Sequence, residues 1–144
     1  MNTSESNNDN FEKELQDKTI LFPLGIPGFP THHRFVLIQN AEKPPLFWLQ
    51  SVDDEKLGFA VIEAFRLKKD YEFEIEDTDL ISIGSPNEKE CAVYFILCLH
   101  DDPTQIKGEA NMRAPVIINL KNKLGRQMII RNDTQYSETE AFVI

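Results

Sequence analysis

Hydrophobic residues come in short bursts along this chain, and most bursts alternate at period two or run for four to eight residues. Apolar stretches of that length, rich in Val, Ile and Phe and bounded by turn residues, are the signature of β-strands. The pattern predicts strands near Thr19–Phe22, Arg34–Gln39, Leu46–Ser51, Phe59–Glu63, Tyr71–Glu76, Ala92–Leu99, Val116–Leu120 and Gln127–Arg131. Turn clusters separate most of them, at 40–45, 53–56, 84–89, 101–103 and 121–125. Helix has two short openings: Asp77-Thr78-Asp79 can start a single turn through Leu80 and Ile81, and Asp101-Asp102-Pro103 can start another near Thr104–Lys107. Many short strands with regular turns predict an all-β fold, a single-domain pseudo-barrel of short antiparallel strands with one or two short helices.

Within that pattern the ends differ from the middle. Residues 1–17 are dominated by Asn, Ser, Asp, Glu and Lys and read as a flexible polar tail. Residues 18–135 carry the domain, and 136–144 read as a C-terminal tail. Between Pro23 and Pro30 three prolines and two glycines make a stiff loop, whose Leu24, Ile26 and Phe29 suit packing onto the body. The burst Leu46-Phe47-Trp48-Leu49 is bulky at both parities, so Trp48 is expected in the core or lining a barrel interior with Phe47 and Phe95. Val116–Ile118 and Met128–Ile130 flank the turn-like Asn122-Lys123-Leu124-Gly125 and read as a hairpin.

At 144 residues the chain is long enough for one real core. A net charge of −9 disfavours nucleic acid and suits solubility or a basic partner. No apolar run nears the roughly 20 residues that span a bilayer, and the N-terminus lacks a secretory pattern, so no membrane association and a cytoplasmic location are expected. Cys91 and Cys98 share one predicted strand, where seven steps hold them about 23 Å apart. That separation forbids a mutual disulfide, and two buried thiols are expected.

Catalytic and metal chemistry find no foothold. His32 and His33 are neighbours, which on an extended chain point to opposite faces, and His100 lies far off. No Cys-x-x-Cys, His-Glu-x-x-His, Gly-x-Ser-x-Gly or phosphate loop occurs. The expectation is a protein that is not an enzyme, with no cofactor and no metal.

The strongest non-catalytic feature is Tyr71-Glu72-Phe73-Glu74-Ile75-Glu76. Alternation puts the three apolar side chains on one face and Glu72, Glu74 and Glu76 on the other, about 7 Å apart in a row. From Asp70 to Asp79 there are six acids and no base. Two readings fit: an edge strand that uses charge to resist aggregation, or a rail for a cationic protein surface. From Lys107 to Arg131 the balance reverses, with six bases against Glu109 alone. That run is either a solvated hairpin face or a second, basic surface.

Several phrases carry more than composition does. Phe22-Pro23-Leu24-Gly25-Ile26-Pro27-Gly28-Phe29 is followed by Phe47-Trp48-Leu49-Gln50-Ser51-Val52-Asp53-Asp54, then Asp70–Ile75, then a block from Asn111 through Pro115 and Asn119 to Gly125 and Gln127. In this order, over about Thr19–Thr134, the chain resembles the flagellar assembly factor FliW family. The resemblance marks Gly25, Pro27, Gly28, Trp48, Gln50, Asn111, Pro115, Asn119, Gly125 and Gln127 as family-motif structural positions. It implies a small all-β pseudo-barrel that binds proteins: flagellin in the cytoplasm and, when flagellin is scarce, the translational repressor CsrA, whose capture relieves repression of flagellin mRNA. Charge then nominates Glu72, Glu74 and Glu76, with Asp53 and Asp54, as the CsrA-facing surface. Both termini depart from the family pattern. Two other readings remain: a small-ligand-binding or enzymatic β-barrel, and direct RNA binding, which the net charge disfavours.

Overall fold

The strand expected over Ala92–Leu99 is the longest strand among the described residues and organises the rest. The computed structural model describes residues 17–132 and 135–144. The expected tail over residues 1–17 therefore falls almost wholly outside the described residues. In chain order the strands are β1 (Ile20–Leu21), β2 (Arg34–Gln39), β3 (Phe47–Ser51), β4 (Gly58–Glu63), β5 (Cys91–Leu99), β6 (Lys107–Ala110), β7 (Val116–Asn119), β8 (Leu124–Gln127) and β9 (Glu140–Val143). The helices that lie wholly within the described residues are short: α1 (Ala64–Leu67), α2 (Asp77–Ile81) and a 3-10 turn at Glu88–Glu90.

Strands β4, β3, β2, β1, β8, β7 and β5 follow one another in hydrogen-bonded order, and β4 pairs with β5 to close the ring. All of these pairings are antiparallel except β1 with β8, a parallel contact at Leu21 and Leu124. β6 adds to β5 through Leu97–Leu99, and β9 adds to β6. The all-β expectation is met, with a closed ring of strands as its form.

Strand alternation gives the ring two apolar faces. Phe35, Leu49, Val61, Val116 and Ile118 share the inner face with Ile20, Phe22 and Ile26. Ile62, Val93, Phe95, Leu97 and Ile117 share the outer face, where Tyr71, Ile83, Met112, Met128, Ile130, Tyr136 and Phe142 cover them. The molecule thus has two cores, one inside the ring and one between the ring and an outer layer built largely from non-strand segments.

Several expectations change. Residues 136–144 are not a tail: Tyr136 and Phe142 are buried, and β9 joins the sheet, because two large apolar side chains in that segment find the outer core. The second hairpin strand runs over Leu124–Gln127 instead of Gln127–Arg131, so Gly125 lies in a strand, and the turn is Leu120–Lys123 with Lys123 at φ 57. A Cβ on Gly125 would stand 2.7 Å from the Phe22 ring, so glycine is needed for close approach to an inner-core aromatic. No helix forms at Thr104–Lys107; β6 begins at Lys107 instead. Trp48 is on the outer face and 39% exposed, because the outer layer covers β4, β5 and β7 but stops short of β2 and β3. Its register partner Ile38 is exposed beside it. Phe95 is buried in the outer core and Phe47 only flanks the inner one, so the barrel-lining trio does not form. Both thiols are free, but Cys98 is exposed and Cys91 only partly buried.

The proline-rich loop works as two tight turns. Gly25 N–H donates to the Phe22 carbonyl at 2.8 Å and Phe29 N–H to the Ile26 carbonyl at 2.7 Å, each turn carrying proline second. Gly28 at φ 90 fills the third position, which demands a left-handed residue. Ile26 is buried, whereas Leu24 and Phe29 remain exposed at the surface.

Gly125→Ala should cost about 1–3 kcal/mol of stability in urea denaturation, through overpacking against Phe22; an unchanged midpoint would contradict the close approach. A second prediction concerns Asp102, whose carboxylate accepts from the Thr104 amide at 2.8 Å, the Thr104 hydroxyl at 2.9 Å and the Gln105 amide at 3.2 Å. Hydrogen bonds from Thr104 lead the causes that hold its pKa down at about 2, against 3.8 ordinarily. A depressed pKa favours the folded loop above the ordinary value and releases it as pH falls toward the lower one. The Thr104 and Gln105 amide resonances should hold through pH 3.8 and move only near about 2; movement centred on 3.8 would contradict this.

Candidate functional site

The acidic row sits on the outer layer, and the backbone that carries it is extended without belonging to a strand ladder. Alternation still holds: Tyr71 is buried, Phe73 and Ile75 are half-buried, and Glu72, Glu74 and Glu76 are exposed. The predicted strand is therefore corrected in its bonding and kept in its facing. In place of a neighbouring strand, Arg131, Asn132 and Tyr136 hold this segment. The Glu74 N–H donates to Asn132 Oδ1 at 2.9 Å, and Asn132 Nδ2 donates to the Glu72 carbonyl at 2.9 Å. The Glu72 N–H reaches the Tyr136 hydroxyl at 3.2 Å, and the Arg131 N–H donates to the Glu74 carbonyl at 2.7 Å.

Tyr71 anchors the row from beneath. Its hydroxyl donates to the Met112 carbonyl at 2.6 Å, and its ring meets Phe95 edge-on at 4.7 Å and Tyr136 at 4.9 Å. Burial first, and then the neighbouring Tyr136, push its pKa well above that of a free phenol. It is a neutral structural donor, not a proton-transfer group.

Beside the row lies an open groove of about 750 Å³. Phe65, Phe73, Ile75, Leu80 and Val93 give it apolar walls, while Glu72, Glu74 and Glu88 supply carboxylates. Phe65 is 43% exposed and sits 6.3 Å from Phe73, which stacks on Tyr71 at 5.3 Å. Among the described residues Glu72 and Glu74 make no ion pair, whereas Glu76 meets Arg131 Nε at 3.2 Å. An apolar groove edged by unpaired carboxylates is suited to a ligand that is both apolar and cationic.

Asp53 and Asp54 lie elsewhere. They fall in the turn before β4, while the acidic row follows α1 at its far end, a strand's length of roughly 17 Å away. Both also have local work. Asp53 takes a two-pronged contact from the Arg34 guanidinium, which lowers its pKa. Asp54 accepts from the Lys56 amide at 3.0 Å and stands 3.8 Å from His32 Nε2. The structure does not bring the five nominated carboxylates together.

The basic run is similarly divided up. Lys107 pairs with Asp102, Arg113 with Glu138, Lys121 with Glu90, Arg126 with Asp79 and Arg131 with Glu76. Acids from other segments thus face most of the bases, so the run offers no separate cationic surface.

Most motif positions build turns. Gln50 Nε2 lies within 3.2 Å of four carbonyls of the β3–β4 turn, the nearest being Leu57 at 2.9 Å. Asn111 Oδ1 accepts from the amides of Arg113 and Ala114, the Pro115 carbonyl accepts from the Met128 amide, and Gln127 Nε2 donates to the Ala114 carbonyl. Asn119 is 2% exposed; its Nδ2 donates to the Ile83 carbonyl at 2.8 Å, and its Oδ1 accepts from the Lys121 amide. Trp48, exposed on β3, makes no side-chain hydrogen bond among the described residues. Sequence reasoning missed Phe65, Glu88, Asn132 and Tyr136. Only Tyr136, an aromatic in an otherwise polar stretch, offered a signal.

Known proteins share this architecture. The FliW protein family model matches residues 6–141, past both ends of the stretch over which the motifs were legible. The chain is 36% identical over 131 residues to the flagellar assembly factor FliW of Alkaliphilus metalliredigens, covering 90% of this chain and 78% of that one. It is 34% identical over 133 residues to the Clostridium botulinum (strain Langeland) protein of the same name, covering 92% and 91%. A crystal structure of the flagellar assembly factor FliW superimposes with a TM-score of 0.75 at 33% identity, over 88% of this chain and 85% of the other. Sequence, length and strand arrangement agree, and this chain belongs to the flagellar assembly factor FliW family.

Proposed function

We propose that this chain is a cytoplasmic, protein-binding post-transcriptional regulator that captures the translational repressor CsrA, relieves repression of flagellin mRNA, and alternatively binds flagellin. Family membership supports the regulatory role, since flagellar assembly factors act through protein partners. The observation that carries the CsrA-facing assignment is the open groove flanked by Glu72 and Glu74, two exposed carboxylates without ion pairs among the described residues, on a chain of net charge −9. A basic RNA-binding regulator is steered to such a surface and held there by complementary charge. Glu76 extends the row, although Arg131 shares its charge. Asp53 and Asp54 form a second acidic site at the other end of β4, secondary in this reading.

No interior ligand is needed. The inner core is filled by Phe22, Phe35, Leu49, Val61 and Ile118. An exposed acidic surface also argues against direct RNA binding.

A gel shift on the flagellin leader RNA tests the proposal. The chain alone should leave the RNA unshifted, and adding it to a CsrA–RNA complex should release the RNA; flagellin should restore the shift. Replacing Glu72, Glu74 and Glu76 together with Lys should weaken CsrA capture by at least about tenfold, with the circular dichroism spectrum unchanged. Added salt should weaken wild-type capture as well. Unchanged affinity in the triple variant would move the site elsewhere, and RNA binding by the chain alone would overturn the proposal.

A further inference from the structure

The extended segment 71–76 is hydrogen-bonded along one side only. In an extended chain the N–H and C=O groups of successive residues point to opposite sides. Here Glu72 and Glu74 turn theirs toward Arg131, Asn132 and Tyr136, and every one of those four groups is bonded. Phe73 and Ile75 turn theirs the other way. Among the described residues, neither their N–H nor their C=O groups have a partner. The same two residues line the groove with Phe65 and Leu80. The result is an extended edge that is clamped along one side and, among the described residues, unpaired along the other, with an apolar groove beside it.

From this we infer that the Phe73–Ile75 edge is a β-augmentation site, which takes an extended partner segment alternating basic and apolar residues as an added strand. The inference rests on the reading that the acidic groove is the partner surface, and it specifies how that surface is used. Backbone groups of Phe73 and Ile75 supply the ladder, as sheet edges do when they accept peptides. Side chains of the added strand then fall alternately on the two faces. On one face its Lys or Arg residues lie opposite Glu72, Glu74 and Glu76; on the other its apolar residues pack beside Phe73, Ile75 and Phe65.

The acidic row also sets what the edge refuses. A second copy of the same segment would place Glu against Glu, which destabilises a cross-strand pair. Charge therefore blocks self-association at an otherwise adhesive edge while admitting a cationic strand. The outer edge of β9, the last strand in the sheet, has no such pattern: Glu140 is the sole acid of that strand, and its carboxylate accepts from the Ser137 amide.

Amide hydrogen exchange, followed by NMR on the full chain, tests this directly. The probe is a short acetylated and amidated peptide of alternating Lys and Val, with a Glu-for-Lys version as control. Saturating Lys–Val peptide should slow exchange at Phe73 and Ile75 by about tenfold or more, and the already bonded amides of Glu72 and Glu74 should change little. The control peptide, and the chain with all three glutamates replaced by Lys, should show no slowing. Failure of the Lys–Val peptide to protect Phe73 and Ile75, or equal protection by the control, would overturn the inference. CsrA provides the separating arm. Capture of CsrA with Phe73 and Ile75 still exchanging at the free rate overturns strand addition and leaves the proposed function standing. Peptide protection without CsrA capture overturns the proposed function alone.

Discussion

Packing of β5 against both cores is the constraint from which the rest of the structure follows. Val93, Phe95 and Leu97 face the outer core, while Ala92, Tyr94 and Ile96 face the ring interior. Nine residues long, the strand pairs with β4 along one edge and shares the other between β7 and β6. Closure of the ring through β4 fills the inside with large side chains. What remains is the outer face of β4, β5 and β7, an apolar surface that needs a cover. Residues 71–83, Met128, Ile130, Tyr136 and β9 supply it, and the acidic row is part of that cover.

The inner core is full, so what the fold leaves open to solvent is the covering layer and the acidic row it carries. Tyr71 fixes one end of the row through Met112, and Asn132 with Tyr136 fixes its middle. The Asn132 and Tyr136 side chains and the Arg131 amide all bond to one side of the extended segment. A true neighbouring strand at that position would still have left an edge, but without the groove that Phe65 and Leu80 line. Charge placement reinforces the asymmetry: Arg131 and Arg126 pair with Glu76 and Asp79 at one end of the acidic stretch, while among the described residues Glu72 and Glu74 stay unpaired at the groove.

Much of this was legible in the residues. The β class, six of the strands and the short helix at Asp77–Ile81 follow from period and punctuation, and the in–out facing of residues 71–76 follows from alternation alone. What alternation cannot report is the partner. The bonds that hold Glu72 and Glu74 come from Asn132 and Tyr136, some 60 residues away, so an extended stretch with and without a ladder looks the same in sequence. The same limit hid β6 and β9, whose Lys-Gly-Glu-Ala and Glu-Ala-Phe-Val carry little strand propensity and become strands by pairing. Gly125 imitates a turn residue, although its role is to admit Phe22. Trp48 imitates a core residue, although the covering layer ends before it. Family motifs identified the chain well and say little about a partner surface, because most of those residues build turns.

The central claim is that a partner docks on the covering layer, along the acidic row. Mapping the CsrA footprint by NMR on the isotope-labelled chain tests it most directly. The account predicts that resonances of Glu72–Glu76, Phe65 and Glu88 broaden or shift first and most, with those of Asp53, Asp54 and Trp48 little changed. A footprint centred on Trp48 and Ile38, with residues 72–76 unperturbed, would contradict it.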